Sequence, residues 1–131
     1  MAEKQDDSLS VGYHLSDDLI FSSRIGGTAR DYGLTIQTAR SVEALVSLAR
    51  QRPPRCVFVD LAQPDLKIAG LVHTLRELSP NCRFIAYGSH VDAASLRRAR
   101  EAGCDVVLPR SKFVEELPRA LPEWIGNAAT P

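Results

Sequence analysis

Short apolar runs alternate with longer segments whose apolar positions recur every three to four residues, and the alternation repeats five times. The short runs predict β-strands at residues 11–15, 34–39, 56–60, 82–87 and 105–108. Where such a run is continuously apolar, as in residues 56–59, we expect a strand that is covered on both faces, which is typical of a parallel sheet flanked by helices.

The longer segments predict amphipathic helices. The third helix has the clearest stripe, made of Ile68, Leu71, Val72, Leu75 and Leu78. The fourth helix is predicted at about residues 92–102, with an apolar face and an arginine-rich face. In the last helix, which begins near Phe113, Pro118 and Pro122 each remove a backbone donor, so we expect a kinked or two-piece helix.

Five strands that alternate with five helices through short links indicate an α/β fold of repeated βα units. We expect a three-layer α/β/α sandwich around a five-stranded parallel sheet of order 2-1-3-4-5, which is the flavodoxin-like arrangement. Ligand chemistry in such folds lies at the carboxyl ends of the strands, where strands 1 and 3 are neighbours. One domain is predicted over residues 11–125, with disordered tails at 1–10 and 126–131.

Composition narrows the function classes. The 131-residue chain has 16 basic and 16 acidic residues, so its net charge offers no electrostatic case for binding nucleic acid or a membrane. Its 3 cysteines are widely spaced, which argues against a disulfide framework or a zinc site. The start of the chain lacks the apolar segment of a signal peptide, and no apolar run reaches membrane-spanning length. We therefore expect a cytoplasmic protein.

Carboxylates gather where the predicted sheet places the ends of strands 1 and 3. Asp60 ends the third strand, and Asp17 and Asp18 follow the first strand. Converging carboxylates repel one another unless a hard cation such as Mg²⁺ lies between them, and a carboxylate can also carry a phosphoryl group. Alternatively, Asp17 and Asp18 only cap the first helix.

The segment "CVFVDLAQPDLKIAG", residues 56–70, resembles the receiver domain of bacterial response regulators in two-component signalling. The resemblance covers about residues 11–125 and includes "AREAGCDVVLPRSKF", residues 99–113. It implies that Asp60 accepts phosphate from a histidine kinase. It also implies that Asp60, Asp17 and the backbone carbonyl of Ala62 hold Mg²⁺.

The chain departs from the receiver pattern at the positions that would bind metal and phosphate. The acid pair after strand 1 is Ser16 and Asp17, so the resemblance implies weakened Mg²⁺ binding. The hydroxyl position after strand 4 is Gly88, with Ser89 beside it, and the lysine position after strand 5 is Arg110. Ser89 and Arg110 are therefore the candidate phosphate contacts.

These departures favour a degenerate receiver, or pseudo-receiver, which is a signalling module and not an enzyme. Val107 also supports this hypothesis, because it stands where receivers have the aromatic residue that moves when phosphate binds. The alternative is a working phosphoacceptor that is phosphorylated on Asp60 with Mg²⁺. A third reading is a flavodoxin-like domain that binds flavin or cobalamin, although the chain lacks the cobalamin motif DxHxxG and a phosphate loop after strand 1.

The expected partners are proteins. The resemblance implies a histidine kinase or another signalling protein, and a homodimer through the surface formed by helix 4, strand 5 and helix 5. A basic stripe near that surface consists of Arg97, Arg98, Arg100, Arg110 and Lys112. No effector region follows the last helix, so we expect either a protein that acts alone or a fragment of a longer chain.

Overall fold

The computed structural model of the protein describes residues 11–125, and the predicted disordered tails, 1–10 and 126–131, lie outside the described residues. The strands are β1 (Val11–Leu15), β2 (Thr35–Ala39), β3 (Cys56–Asp60), β4 (Arg83–Gly88) and β5 (Val106–Pro109). The helices are α1 (Leu19–Asp31), α2 (Val42–Gln51), α3 (Ile68–Leu78), α4 (Ala93–Glu101) and α5 (Arg110–Ile125).

The sheet is parallel and has the order β2-β1-β3-β4-β5, which confirms the predicted fold class. β3 lies between β1 and β4, where Leu15 is opposite Val59 and Asp60 is opposite Tyr87. The carboxyl ends of β1, β3 and β4 therefore meet at one edge of the sheet. This edge is where the sequence places its acidic residues.

Side chains of the sheet alternate between two cores of different composition. The aliphatic side packs against α2, α3 and α4, and its core is mostly branched and small: Leu15, Ala39, Leu45, Ala49, Val57, Val59, Leu71, Val72, Leu75, Ala86 and Ala99. The aromatic side packs against α1 and α5, and its core is rich in rings: Phe21, Phe58, Tyr87, Phe113 and Trp124. Asp60 belongs by alternation to the aromatic side, because it follows Phe58 by two positions.

Of the two forms predicted for the last helix, kinked or two-piece, the structure excludes the two-piece form. α5 is continuous although it contains Pro118 and Pro122. Because Pro122 has no N–H, the carbonyl of Pro118 lacks its usual donor four residues later. The phenol of Tyr32, just after α1, donates to that carbonyl instead. A tertiary contact thus satisfies the acceptor that the proline leaves open.

Two further features bear on the sequence expectations. Cys56 and Cys82 are buried, Cys104 is partly buried, and all three are free thiols. Burial raises the pKa of the Cys82 thiol to about 12, which fits a packing residue. Among residues 11–125, the helices are all too short or too polar to cross a membrane.

Candidate functional site

Asp60 is the last residue of β3, and its side chain is held from two directions. The residue is only 4% exposed. The hydroxyl of Ser16, a fully buried residue directly after β1, donates to Oδ2 of Asp60 over 2.7 Å. The backbone N–H of Ala62 donates to Oδ1 over 2.9 Å. Both carboxylate oxygens therefore accept hydrogen bonds from the protein, as a buried charge requires.

Arg110 supplies the positive charge next to this carboxylate. It is the first residue of α5 and follows β5 without a loop, so its backbone position is fixed by the sheet. One guanidinium nitrogen lies 3.8 Å from Oδ1 of Asp60, and another lies 3.6 Å from Oδ2 of Asp18. The guanidinium also lies over the rings of Phe21 and Tyr87, at 5.3 and 5.8 Å from their centroids. Arg110 thus bridges two carboxylates while packing on two aromatic faces.

The two acids after β1 have different surroundings. Asp18 caps α1, because its Oδ1 accepts the backbone N–H of Phe21 over 2.9 Å, and its other oxygen faces Arg110. The carboxylate of Asp17 is half-exposed and lies 3.7 Å from the guanidinium of Arg40. The acid that shares a cation with Asp60 is therefore Asp18. The sequence predicted this neighbourhood but nominated Asp17 as the metal ligand.

The loop after β4 contributes little to the polar pocket in this arrangement. Gly88 ends β4 and is buried, and a Cβ built on it would lie 3.3 Å from the side chain of Leu61. Ser89 is exposed, and its hydroxyl accepts the backbone N–H of Val91 over 3.3 Å. The candidate phosphate contact Ser89 therefore turns its hydroxyl to its own loop, while Arg110 already faces Asp60.

A buried chain of polar side chains runs next to Asp60 and was missed in the sequence. Nε2 of His14 lies 2.6 Å from the phenol oxygen of Tyr87, and Nδ1 lies 3.2 Å from the hydroxyl of Ser22. Burial lowers the pKa of His14 to about 4, although the carboxylates of Asp60 and Asp18 oppose this shift. The ring is therefore neutral at pH 7.

The hydroxyl of Tyr87 also stays protonated, because burial and then the charge of Asp60 raise the pKa of this phenol. With a proton on Nδ1 of His14, Tyr87 donates to Nε2 and Nδ1 donates to Ser22. The ring of Tyr87 packs between those of Phe21 and Phe113, with centroid distances of 4.8 and 4.6 Å. Its orientation is thus fixed by the hydrogen bond to His14 and by these ring contacts.

Sheet periodicity was the signal that could have found this chain of contacts. Within one strand, residues two positions apart share a face. His14 and Ser16 therefore point the same way, as do Phe58 and Asp60. Tyr87 joins them because it pairs with Asp60 across β3 and β4.

The side chains around Asp60, as arranged, do not fit a Mg²⁺ ion. Such an ion needs oxygen ligands in octahedral geometry and usually takes one or two carboxylates. Here the oxygens of Asp60 accept hydrogen bonds from Ser16 and Ala62, and the guanidinium of Arg110 lies against the carboxylate pair. Within residues 11–125, no three His, Cys, Asp or Glu side chains come together as a metal-holding group.

Comparison with known proteins identifies proteins that this chain resembles. No protein-family model matches the chain. It is 29% identical over 107 residues to the photosynthetic apparatus regulatory protein RegA of Cereibacter sphaeroides, covering 82% of this chain and 58% of that relative. It is 28% identical over 103 residues to the response regulator receiver protein Anae109_2439 of Anaeromyxobacter, covering 79% of this chain and 43% of that relative. The chain thus spans about half the length of these curated relatives.

A solved structure has the same fold. The response regulator protein from Burkholderia pseudomallei, determined with a phosphorylated aspartic acid, a calcium ion and citrate, superimposes with a TM-score of 0.73. The match has 20% sequence identity and covers 92% of this chain and 69% of that chain. The βα topology and the two sequence relatives agree with each other. In sequence and in fold, the chain is therefore similar to the receiver domains of response regulators in two-component signalling.

Proposed function

We propose that this receiver domain signals through protein–protein contacts on a surface set by its fold, without metal-assisted phosphorylation of Asp60. The observation that carries the proposal is the 2.7 Å hydrogen bond from Ser16 to Asp60. At the acid-pair position, Ser16 supplies a neutral donor to Asp60 where the family pattern has a carboxylate that would share a cation with it. The proposed site therefore satisfies Asp60 with groups of the protein itself, and Mg²⁺ binding is expected to be weak.

The surroundings of Tyr87 support a surface that does not switch. The resemblance to receivers implies a lever made of a hydroxyl after strand 4 and an aromatic on strand 5. In this chain those positions are Gly88 and Val107. The aromatic beside Asp60 is Tyr87, on the opposite face from Val107 and held by His14. Because the ring of Tyr87 is held in this way, we do not expect it to change rotamer in response to phosphate at Asp60.

The second candidate function is a working phosphoacceptor. It is favoured by the position of Asp60 at the end of β3 and by the cation of Arg110 within 3.8 Å of its carboxylate. The relative from Burkholderia pseudomallei carries a phosphorylated aspartic acid and a calcium ion. In this alternative Asp60 would take a phosphoryl group with Mg²⁺ held by Asp60, Asp17 and the carbonyl of Ala62. Arg110 and Ser89 would contact its oxygens.

Phosphorylation chemistry separates the two candidates. The protein is incubated with acetyl phosphate and Mg²⁺, and in parallel with beryllofluoride and Mg²⁺. Intact-mass spectrometry and the fluorescence of Trp124 are then recorded. We expect no added phosphoryl mass and no fluorescence change. An added phosphoryl group that disappears in Asp60→Asn would establish the second candidate and overturn the first.

A variant with the receiver-like residues restored serves as the positive control. It carries Ser16→Asp, Gly88→Thr and Arg110→Lys. Because a Cβ at Gly88 lies 3.3 Å from Leu61, the same chain without the Gly88 change is measured beside it to separate crowding from chemistry. We expect Asp60-dependent phosphorylation in the restored variants. If the natural chain and the restored variants react at equal rates, Ser16 and Arg110 do not impair the site.

The proposed partner surface is the exposed arginine face of α4 together with β5 and α5. Arg97, Arg98 and Arg100 are exposed, whereas Arg110 faces the Asp60 site and Lys112 pairs with Glu115 and Glu116. These three exposed arginines would complement an acidic surface on a histidine kinase, another signalling protein or a second copy of the chain. Charge reversal at Arg97 and Arg98 should weaken self-association and partner capture. Unchanged sedimentation and pull-down would remove this surface from the proposal.

A further inference from the structure

The carboxylates of Asp18 and Asp60 approach one positive group that belongs to the chain. The nitrogens of Arg110 lie 3.6 Å from Asp18 and 3.8 Å from Asp60. Two carboxylates and one guanidinium leave a single negative charge, which the hydroxyl of Ser16 and the N–H of Ala62 further stabilise. The guanidinium of Arg110 thereby reduces the repulsion between the carboxylates of Asp18 and Asp60, which would otherwise favour a bound hard cation.

The shape of an arginine matters for this role. A guanidinium is a planar fork with donors on separate nitrogens, so it can face two carboxylates at once, whereas a lysine presents one compact charge. Arg110 is 39% exposed at its side chain, but its plane packs on Phe21 and Tyr87. Cation–π packing and two ion pairs hold the charge in one place. A Mg²⁺ ion entering beside Asp60 would meet this fixed like charge.

We propose that the guanidinium of Arg110 is a resident cation that takes the place of a divalent metal beside Asp60. The site is then assembled without Mg²⁺, and removing Arg110 uncovers a metal dependence that the natural chain lacks. This inference rests on the proposed function, since it explains how a site without Mg²⁺ stabilises two neighbouring carboxylates. It concerns metal dependence alone, so it can fail while the absence of phosphorylation still stands.

Thermal unfolding with and without Mg²⁺ tests the inference. Protein treated with chelator and dialysed is melted in MgCl₂ and in NaCl of equal ionic strength, followed by circular dichroism. We expect equal midpoints for the natural chain in the two salts. Arg110→Gln should melt at a lower temperature in NaCl, because Asp18 and Asp60 lose their shared cation, and Mg²⁺ should restore several degrees.

Matched controls locate the effect. Lys112→Gln removes a cation two residues away whose partners are Glu115 and Glu116, and it should show no response to Mg²⁺. The double variant Arg110→Gln with Asp60→Asn should lose the Mg²⁺ response, because one of the two carboxylates is gone. A response that survives in the double variant would place the metal elsewhere and overturn the inference.

Two results on the main variants would also overturn it. One is a natural chain whose midpoint rises in MgCl₂ relative to NaCl. The other is a folded Arg110→Gln protein that ignores Mg²⁺. If Arg110→Gln does not fold, Arg110→Met is measured instead. Methionine keeps an apolar contact with Phe21 and Tyr87 but has no charge, so a Mg²⁺ response in that variant supports the resident cation, and an unchanged midpoint contradicts it.

Discussion

The two sides of the sheet are built from the same five strands but have different contents. The aliphatic side, against α2, α3 and α4, is a close-packed core of mostly branched side chains that also contains Tyr13 and Phe84. The aromatic side, against α1 and α5, also encloses His14, and beyond Tyr87 it reaches Ser16 and Asp60. The aliphatic side mainly excludes water, apart from the phenol of Tyr13, which donates to the carbonyls of Leu48 and Arg52. The other must also satisfy polar atoms that lie beneath the carboxyl edge of the sheet.

This contrast explains where the chain departs from the receiver pattern. The aliphatic side keeps the hydrophobic positions that any βα sandwich requires. The substitutions at Ser16 and Arg110 concern polar groups that meet next to the aromatic side. Because a ring stack connects Phe113, Tyr87 and Phe21, changes in that core should reach Asp60, whereas changes in the aliphatic core should cost stability alone.

The largest expected effect is the loss of a core side chain, measured once on each side. Phe113→Ala should reduce the free energy of unfolding by about 4 kcal/mol, and Leu75→Ala by about 3 kcal/mol, since each leaves a cavity in a fully buried position. Urea unfolding gives both values. Amide chemical shifts of Ser16, Asp60 and Arg110 should move only in the Phe113 variant.

If these amide signals moved equally in both variants, a change in either core would reach Asp60, and the proposed difference between the two sides would be wrong. If Phe113→Ala does not fold, Phe113→Leu keeps part of the volume and allows the same comparison. The ring of Phe113 contacts Tyr87 at 4.6 Å, so even the milder change should be felt there.

The second effect is a pH dependence confined to the aromatic side. The pKa of His14 is about 4 in the folded protein and near its ordinary value of 6.5 in the unfolded chain. Between these values the unfolded chain binds more protons, so stability is full above pH 6.5 and falls as the pH drops toward 4. The total loss should be about 3 kcal/mol.

Unfolding experiments from pH 7 to pH 4.5 measure most of this loss. His14→Gln should flatten the slope, whereas His73→Gln should leave it unchanged because the ring of His73 is 75% exposed. An unaltered slope in His14→Gln would assign the acid sensitivity to other groups.

The sequence was sufficient to predict the fold because each βα unit carries its own local signal. Apolar runs indicated buried strands, helical stripes such as that of α3 indicated packing faces, and short links allowed few topologies. The end of β3 at Asp60 could also be read locally. The continuous α5 could not, because the donor that satisfies Pro118 comes from Tyr32, 86 residues away.

Much of the polar site was beyond local patterns for a similar reason. Alternation groups the residues of one strand by face, but it does not reveal which faces of neighbouring strands coincide, so the shared face of His14 and Tyr87 was hidden without the strand register. Their contact joins residues 73 positions apart. Whether Asp17 or Asp18 faces Asp60 depends on side-chain direction at the start of α1, which composition does not determine. The metal and phosphate roles predicted for Asp17, Ala62 and Ser89 remain predictions.

The third prediction compares two buried phenols, one on each side of the sheet. Tyr87→Phe leaves Nε2 of His14 without its 2.6 Å partner and should cost about 2 kcal/mol. Tyr13→Phe, on the aliphatic side, removes a donor to the carbonyl of Arg52 at 2.7 Å and should cost about 1 kcal/mol, because that edge can be reached by water. Urea unfolding at pH 7 ranks them, and only Tyr87→Phe should shift the amide signal of Asp60. The reverse ranking would mean that the phenol of Tyr87 is not the anchor of its ring.

The smallest expected effect lies in the loop that leads from Asp60 to α3 on the aliphatic side. Asp65 has a φ of +61°, in the left-handed region that side chains other than Asn, Asp and Gly rarely occupy. Asp65→Ala should lower the free energy of unfolding by about 1 kcal/mol. Alanine lacks the polar side chain that lets aspartate form local hydrogen bonds in the left-handed region, so the strain of that backbone conformation is not offset. Asp65→Gly should be nearly neutral, since relief of the backbone is offset by the greater freedom of glycine in the unfolded chain. Equal stabilities of the two variants in urea would show that the loop relaxes away from this conformation. Asp60 would then be connected to α3 less rigidly than the rings of Tyr87 and Phe113 connect it to α5.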